Sequence, residues 1–240
     1  MEFTETGTLK KWSIGDIVII PEIQEVSENK FRGGAFWCIP NFDQLGYPFE
    51  IKHGEYRNTK CVTNTLPHEK FLSAASGAGW GKLSTRVLWE EKAMATVHQL
   101  EVRAHLQALT PLTTLRPGFH PYFKVQGTFT LEIGGIKITS ENMPVDKMII
   151  VPVQKNASGS VVATLITSNL HITVAATMEE DLLRSNACFS FAVWSDNPEE
   201  YLCIEPVYGT AYGIDNLPTS FVLDRGQTTT LVSKIIVSIN

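Results

Sequence analysis

The chain has 240 residues, 25 acidic against 20 basic side chains for a formal net charge of -5, and an apolar content of 43%. That composition excludes a disordered or low-complexity chain, supplies no basic stripe of the kind nucleic acid selects, and includes no run of about 18 uncharged apolar residues that would cross a bilayer as a helix. No nucleic-acid or membrane partner is expected.

Taken from the start, "MEFTETGTLKKW" lacks an apolar core followed by a small-residue cleavage site, which reads as no secretion signal and a cytoplasmic location. "SIGDIVIIP" (13–21) then alternates apolar and polar residues with a period of two, the pattern of a half-buried strand. Residues 28–62 and 66–90 read as long irregular segments, which in a compact β-domain tend to carry function. Within the second, "PHEKFLSAA" suggests a brief helical piece. The alternation returns strongly in "VHQLEVRAHLQAL" (97–109), where Leu100, Val102, Ala104 and Leu106 share one face and Glu101, Arg103 and His105 the other.

It recurs in "GTFTLEIGGIKITS" (127–140), "VVATLITSNLHITVAAT" (161–177), "CFSFAVWS" (188–195) and "TTTLVSKIIVSI" (228–239). Gly134-Gly135 and Ser168-Asn169 supply the turn chemistry of two hairpins, and "NPEEY" (197–201) suggests a second short helical piece. No segment carries an apolar stripe of helical period over three turns. The expected fold is all-β, a large antiparallel β-sandwich of two sheets packed face to face, forming one domain over residues 1–240 with no dividing linker and no repeat.

Four stretches set ionisable groups among apolar or glycine residues: "FRGG" (31–34), "KHGEYR" (52–57), "GFHPYF" (118–123) and "YLCIEP" (201–206). Glu205 emerges from the apolar run Tyr201 to Ile204, where a carboxylate must be paired, hydrogen-bonded or able to take up a proton. Partial burial would raise its pKa and suit it to general-base work, although a structural carboxylate capping a loop has the same signature. His120 sits between Phe119 and Pro121, a setting that fits a packed core histidine as well as a proton carrier. His53 adjoins Gly54, with Arg57 four positions on, and Arg32 precedes Gly33-Gly34, where a guanidinium at a tight turn could hold a hydroxyl or phosphate. His105 and His171 read as exposed strand positions.

Other chemistries find little footing. Cys38, Cys61, Cys188 and Cys203 are widely spaced with no CxxC pair, and read as buried free thiols. No HxH or HExxH spacing marks a metal, so no metal is expected. There is no GxSxG elbow for a serine hydrolase and no phosphate-cradling glycine loop.

In chain order, "RGGAFWCIPNF", "HGEYR", "HPYF" and "VWSDNPEEYLCIEP" resemble the arginine-glycine-glycine, His-Gly-Phe-Ala-Arg, central histidine and catalytic-glutamate segments of the aldose 1-epimerase (mutarotase) family, and "GTLKKWSIGDIVIIP" is similar to its opening hairpin. The "RGG" and "HPYF" sub-pattern is closest to the branch that contains hexose-6-phosphate mutarotases. The resemblance implies a galactose-mutarotase-type sandwich that interconverts the α and β anomers of an aldohexose, with Glu205 as general base, His120 as general acid, His53 as a substrate-polarising residue, and Arg32 and Arg57 as ligand clamps. It also makes Asp146, followed here by Lys147, the candidate for a sugar-contacting aspartate. Glu55-Tyr56 departs from the usual Phe-Ala, a change that could narrow the pocket.

The implied substrate is a sugar or sugar phosphate and no cofactor is implied. Ring opening needs a base at the C1 hydroxyl and an acid at the ring oxygen, with roles reversed on closure, so imidazole and a carboxylate of raised pKa suit it. Trp37, Tyr122 and Trp194 could offer apolar faces to the sugar. A hexose-6-phosphate epimerase, or a carbohydrate-binding module without turnover, would use the same fold. The catalytic reading requires the fold to bring His120 and Glu205 to one bound pyranose ring, one on each side.

Overall fold

In the computed structural model, residues 1–28, 30–42, 52–62, 66–73, 81–110, 113–180, 189–208 and 221–239 are described. The period-two patterns become strands. In Val97–Ala108 the side chains of Leu100, Val102, Ala104, Leu106 and Ala108 are buried while His105 is exposed. Thr228–Ile239 pairs with this strand on one side and with Leu170–Glu180 on the other, so the longest alternating runs of the sequence lie together.

Two eight-stranded antiparallel sheets carry most of the chain. The back sheet runs in the order Ile136–Thr139, Phe129–Ile133, Val161–Thr167, Leu170–Glu180, Thr228–Ile239, Val97–Ala108, Lys82–Met94, His68–Ser73. The front sheet runs Glu2–Phe3, Leu9–Ile14, Ala35–Cys38, Gly118–Lys124, Tyr201–Tyr208, Phe189–Trp194, Ile149–Val153, with Ile17–Ile20 paired to Leu9–Ile14. The hairpin turns at Gly134-Gly135 and Ser168-Asn169 fall where the turn chemistry put them. Two further ribbons, Gln24–Ser27 with Lys30–Arg32 and Thr113–Leu115 with Phe221–Leu223, stand outside the sheets.

One continuous apolar cluster joins the sheets, with each fully buried large side chain contributing about 1.5–3 kcal/mol. Polar ties cross the same interface. The Tyr208 hydroxyl donates to the Val232 carbonyl at 2.8 Å and meets Ser233 Oγ at 3.0 Å, and the Trp12 indole donates to Glu91 at 2.7 Å.

The front sheet is buried on both faces. Trp37, Phe119, Leu202, Ile204, Phe191 and Val193 belong to the core between the sheets. Their alternating neighbours Phe36, Cys38, Tyr122, Cys203, Val207 and Ala192 form a second, smaller cluster on the opposite face. This second face carries His120 and Glu205.

Several expectations change. "PHEKFLSAA" is not helical over its described part: His68–Ser73 is an edge strand paired with Lys82–Met94. His68, Lys70 and Leu72 point inward and Glu69 and Phe71 outward, a period of two that strand pairing enforces over a locally helical composition. "NPEEY" makes one turn, with the Glu200 and Tyr201 amides both donating to the Asn197 carbonyl, before Tyr201 enters its strand. The spans 28–62 and 66–90, read as irregular, supply Lys30–Arg32, Ala35–Cys38, His68–Ser73 and Lys82–Met94. Cys38, Cys61 and Cys203 are free thiols, Cys38 and Cys203 buried and Cys61 half-buried. Cys188 lies outside the described residues. No helix among the described residues is long and apolar enough to cross a membrane.

Candidate active site

Register builds the site. Gly118–Lys124 lies between Ala35–Cys38 and Tyr201–Tyr208. His120 pairs with Phe36 on one side; on the other, Gly118 pairs with Val207 and Tyr122 with Cys203, so the same register sets His120 opposite Glu205. Side chains in register on adjacent antiparallel strands project to the same face. His120 Nε2 lies 3.3 Å from Glu205 Oε2, with the two side chains 5% and 2% exposed as residues. The sequence reading asked for one group on each side of a sugar ring; the structure sets them side by side and in contact.

Aromatic rings hold the imidazole. Phe36 stacks on it at 4.7 Å between centroids and Tyr122 at 5.1 Å, both near parallel. Burial, then the neighbouring His53 and the positive charges of Arg57 and Lys52, hold His120 well below the usual histidine range.

His53 arrives from a tight loop. Its ring abuts His120 edge-on at 5.1 Å, and its Nδ1 is 2.6 Å from the Phe42 carbonyl, a contact in which Nδ1–H must donate and Nε2 keeps its lone pair. Burial, reinforced by Arg57 and Lys52 and opposed by that carbonyl, pushes His53 down to about 4. Backbone geometry makes this placement possible: His53 (φ 63°) and Gly54 (φ 68°) are consecutive left-handed residues. A Cβ on Gly54 would lie 2.2 Å from the Ile39 carbonyl oxygen, so the loop rests on the end of Ala35–Cys38 at a distance only glycine tolerates. Gly118 plays the matching part beneath Phe42, whose ring a Cβ there would meet at 2.5 Å.

The following single turn of 3-10 helix, Tyr56–Asn58, presents the Arg57 guanidinium over the Phe36 ring at 5.4 Å. Lys70, fully buried on the edge strand of the back sheet, anchors this turn by donating to the carbonyls of Tyr56 at 2.5 Å and Thr6 at 2.7 Å, with its ammonium 3.4 Å from the Tyr56 ring. Tyr56, the departure noted in "HGEYR", thus faces the core between the sheets, against Lys70.

Arg32 occupies a separate station. It forms an ion pair with Asp196, donates through Nε to the Tyr201 hydroxyl at 3.0 Å, and lies over Trp194 at 4.9 Å. Arg32, Asp196, Asn197, Glu200, Tyr201 and Lys124 line a cleft of about 360 Å³. Neither this cleft nor one of about 420 Å³ near Lys11 and Asp16 is lined by His120 or Glu205. Tyr201 packs on Tyr122 at 5.3 Å, and Tyr122 on His120, which links the Arg32 station to the pair through aromatic rings.

Asp146 lies at the far edge of the front sheet, exposed, at φ 56°, its amide donating to the Ser195 carbonyl at 2.8 Å. Among the described residues no contact joins it to His120 or Glu205. Sequence reasoning missed Asp196, Tyr201, Cys203 and Lys70. Tyr201 and Cys203 were findable, because residues at i-4 and i-2 from Glu205 on a strand share its face.

One ring nitrogen of His120, the Cys203 sulfur and a Glu205 carboxylate oxygen lie within 4.8 Å of one another. These donors are assembled across two strands instead of along one, so no HxH spacing marks them.

No family model matches the chain, and no curated protein does. Among solved structures, it is similar to the Slr1438 protein of Synechocystis sp. PCC 6803, with a TM-score of 0.66 at 16% identity over 98% of this chain and 90% of that one. It is also similar to a candidate aldose 1-epimerase from Escherichia coli K12, with a TM-score of 0.61 at 12% identity over 98% of this chain and 94% of that one. At these identities the likeness is one of architecture, and it makes the chain a β-sandwich of the aldose 1-epimerase-like fold.

Proposed function

We propose that the protein is a sugar mutarotase that interconverts the anomers of an aldohexose by acid/base ring opening and reclosure at His120 and Glu205. The observation that carries this reading is the contact between a buried imidazole and a buried carboxylate on adjacent strands, 3.3 Å apart, with His53 against the imidazole. The two oxygens that exchange protons in anomerisation, the C1 hydroxyl and the ring oxygen, are bonded to the same carbon. An acid and a base for this step belong side by side, as His120 and Glu205 stand.

One proton shared by the pair suffices. The group that holds it protonates the ring oxygen while the other takes the C1 hydroxyl proton, and the C1 to ring-oxygen bond breaks. Rotation about C1–C2 presents the other carbonyl face, and the proton transfers run in reverse on closure. His53 accepts a sugar hydroxyl through its unprotonated Nε2, and Arg57 orients the substrate as a donor beside the pair. Arg32, already engaged by Asp196, serves as an outer clamp, and Asp146 contacts sugar only if the substrate reaches the far edge of the sheet.

The test is exchange NMR on α-glucose, α-galactose and their 6-phosphates. Glu205→Gln and His120→Gln should each lower the catalysed rate by about 10²–10⁴-fold, the contribution of one well-placed acid or base. Sugar binding without accelerated exchange would make the protein a carbohydrate-binding module, and wild-type rates in Glu205→Gln would end the catalytic reading.

A further inference from the structure

The same sheet face holds a donor set that acid/base chemistry does not use in full. Cys203 precedes Glu205 by two positions on one strand, so both side chains project to the face where His120 projects from the next strand. All three are buried, and one nitrogen, one sulfur and one carboxylate oxygen lie within 4.8 Å of one another. Tyr122 packs in the same cluster as Cys203 on this face.

We propose that His120, Cys203 and Glu205 form a binding site for a thiophilic divalent cation of the zinc class, which excludes sugar while it is bound. Tetrahedral coordination with bonds of about 2.0–2.3 Å puts donor atoms about 3.3–3.8 Å apart. The His120 to Glu205 separation of 3.3 Å already meets that figure, and the other donors have to close by about 1.5 Å at most. Charge also balances: the Cys203 thiol, which burial holds protonated, releases its proton to solvent as it ligates, and the thiolate and the carboxylate then neutralise a divalent cation, with neutral imidazole completing the set. A site this dry would otherwise penalise each ion separately. Sulfur selects zinc, cobalt or cadmium over magnesium and calcium. The fourth position stays open, as in three-ligand zinc sites.

The inhibitory consequence rests on the mutarotase reading, since a metal on His120 Nε2 and Glu205 removes both proton carriers; the binding itself does not. The probe is therefore Co²⁺, added to the purified full chain under reducing conditions and read by absorption. One cobalt per chain with a thiolate-to-cobalt charge-transfer band is expected, and Zn²⁺ should bleach the band. Cys203→Ser should abolish the band and weaken binding by more than the roughly 10–100-fold that loss of an outer-shell partner costs.

Circular dichroism confirms that the variant is folded, and Cys38→Ser, in the same face but outside the donor set, should keep the band. In the exchange assay, Zn²⁺ should suppress the rate with EDTA restoring it, and Cys203→Ser should resist zinc. Absence of the band in the wild type, or its survival in Cys203→Ser, overturns the site. A band without any sugar exchange leaves the site standing and removes the mutarotase reading.

Discussion

Gly54→Ala probes the link between backbone and site most directly. The residue has φ 68°, and the added methyl would stand 2.2 Å from the Ile39 carbonyl oxygen and 2.4 Å from its carbon, both backbone atoms that no rotamer can move aside. The left-handed conformation alone costs a non-glycine residue about 1–2 kcal/mol. Relief of the overlap adds about 1–3 kcal/mol, typical of forced overpacking, for a total loss of about 2–5 kcal/mol. Relief also requires the loop to retreat by about 1 Å, and a misplacement of that size at a reacting geometry costs about 10²-fold in rate.

His53 and Arg57 retreat with the loop, so activity should fall further than global stability explains. Urea denaturation gives the stability and exchange NMR the rate. Gly127→Ala is the control: φ is 77° but nothing lies within 4 Å of its Cβ, so only the conformational cost of about 1–2 kcal/mol should appear, with no change in rate. Equal losses in the two variants, or a wild-type rate in Gly54→Ala, would refute the argument that this close approach sets the site.

Three other outcomes are expected. His53, held down to about 4 in the folded protein, binds fewer protons than the unfolded chain between about pH 4 and 6.5, so stability falls as pH drops through that window, by about 2–4 kcal/mol at its lower end. Acid titration of the urea midpoint should show a smaller drop in His53→Gln, and an identical drop would assign the effect to other groups. Tyr208→Phe removes the hydroxyl that joins the sheets at Val232 and Ser233 and should lower stability by about 1 kcal/mol with the exchange rate unchanged. Arg32→Ala leaves Asp196 with only the longer Lys30 contact of 3.7 Å and should cost about 1–3 kcal/mol, raising KM more than it lowers kcat.

The sandwich was legible because period two is a local signal, and Val97–Ala108 and Thr228–Ile239 carry it without interruption. His68–Ser73 was not, since its alternation is short and its inward lysine looks like a solvent residue until carbonyls from Thr6 and Tyr56 meet it. At the site, His120 and Glu205 stand out in the sequence by their apolar flanks, while their contact does not. It depends on the register between strands whose connection runs through four of the eight back-sheet strands, which no local pattern encodes. Arg32 was visible beside its glycines, but its partner Asp196 sits 164 positions away. Cys203 lies two residues from Glu205, but spacing along the chain does not place His120 of the neighbouring strand beside it.

The two-faced front sheet has a bearing on how such a protein could diversify. Exchanging Phe36, Tyr122 or Cys203 for other side chains alters the second cluster and leaves the core residues between them untouched. Removing a single amino acid from Gly118–Lys124 would do the opposite, turning Phe119 outward and His120 into the interior in one event. Variation by substitution is open to these strands, and variation in their length is closed, so new specificities in this scaffold should arise with strand lengths held fixed and insertions confined to the connections.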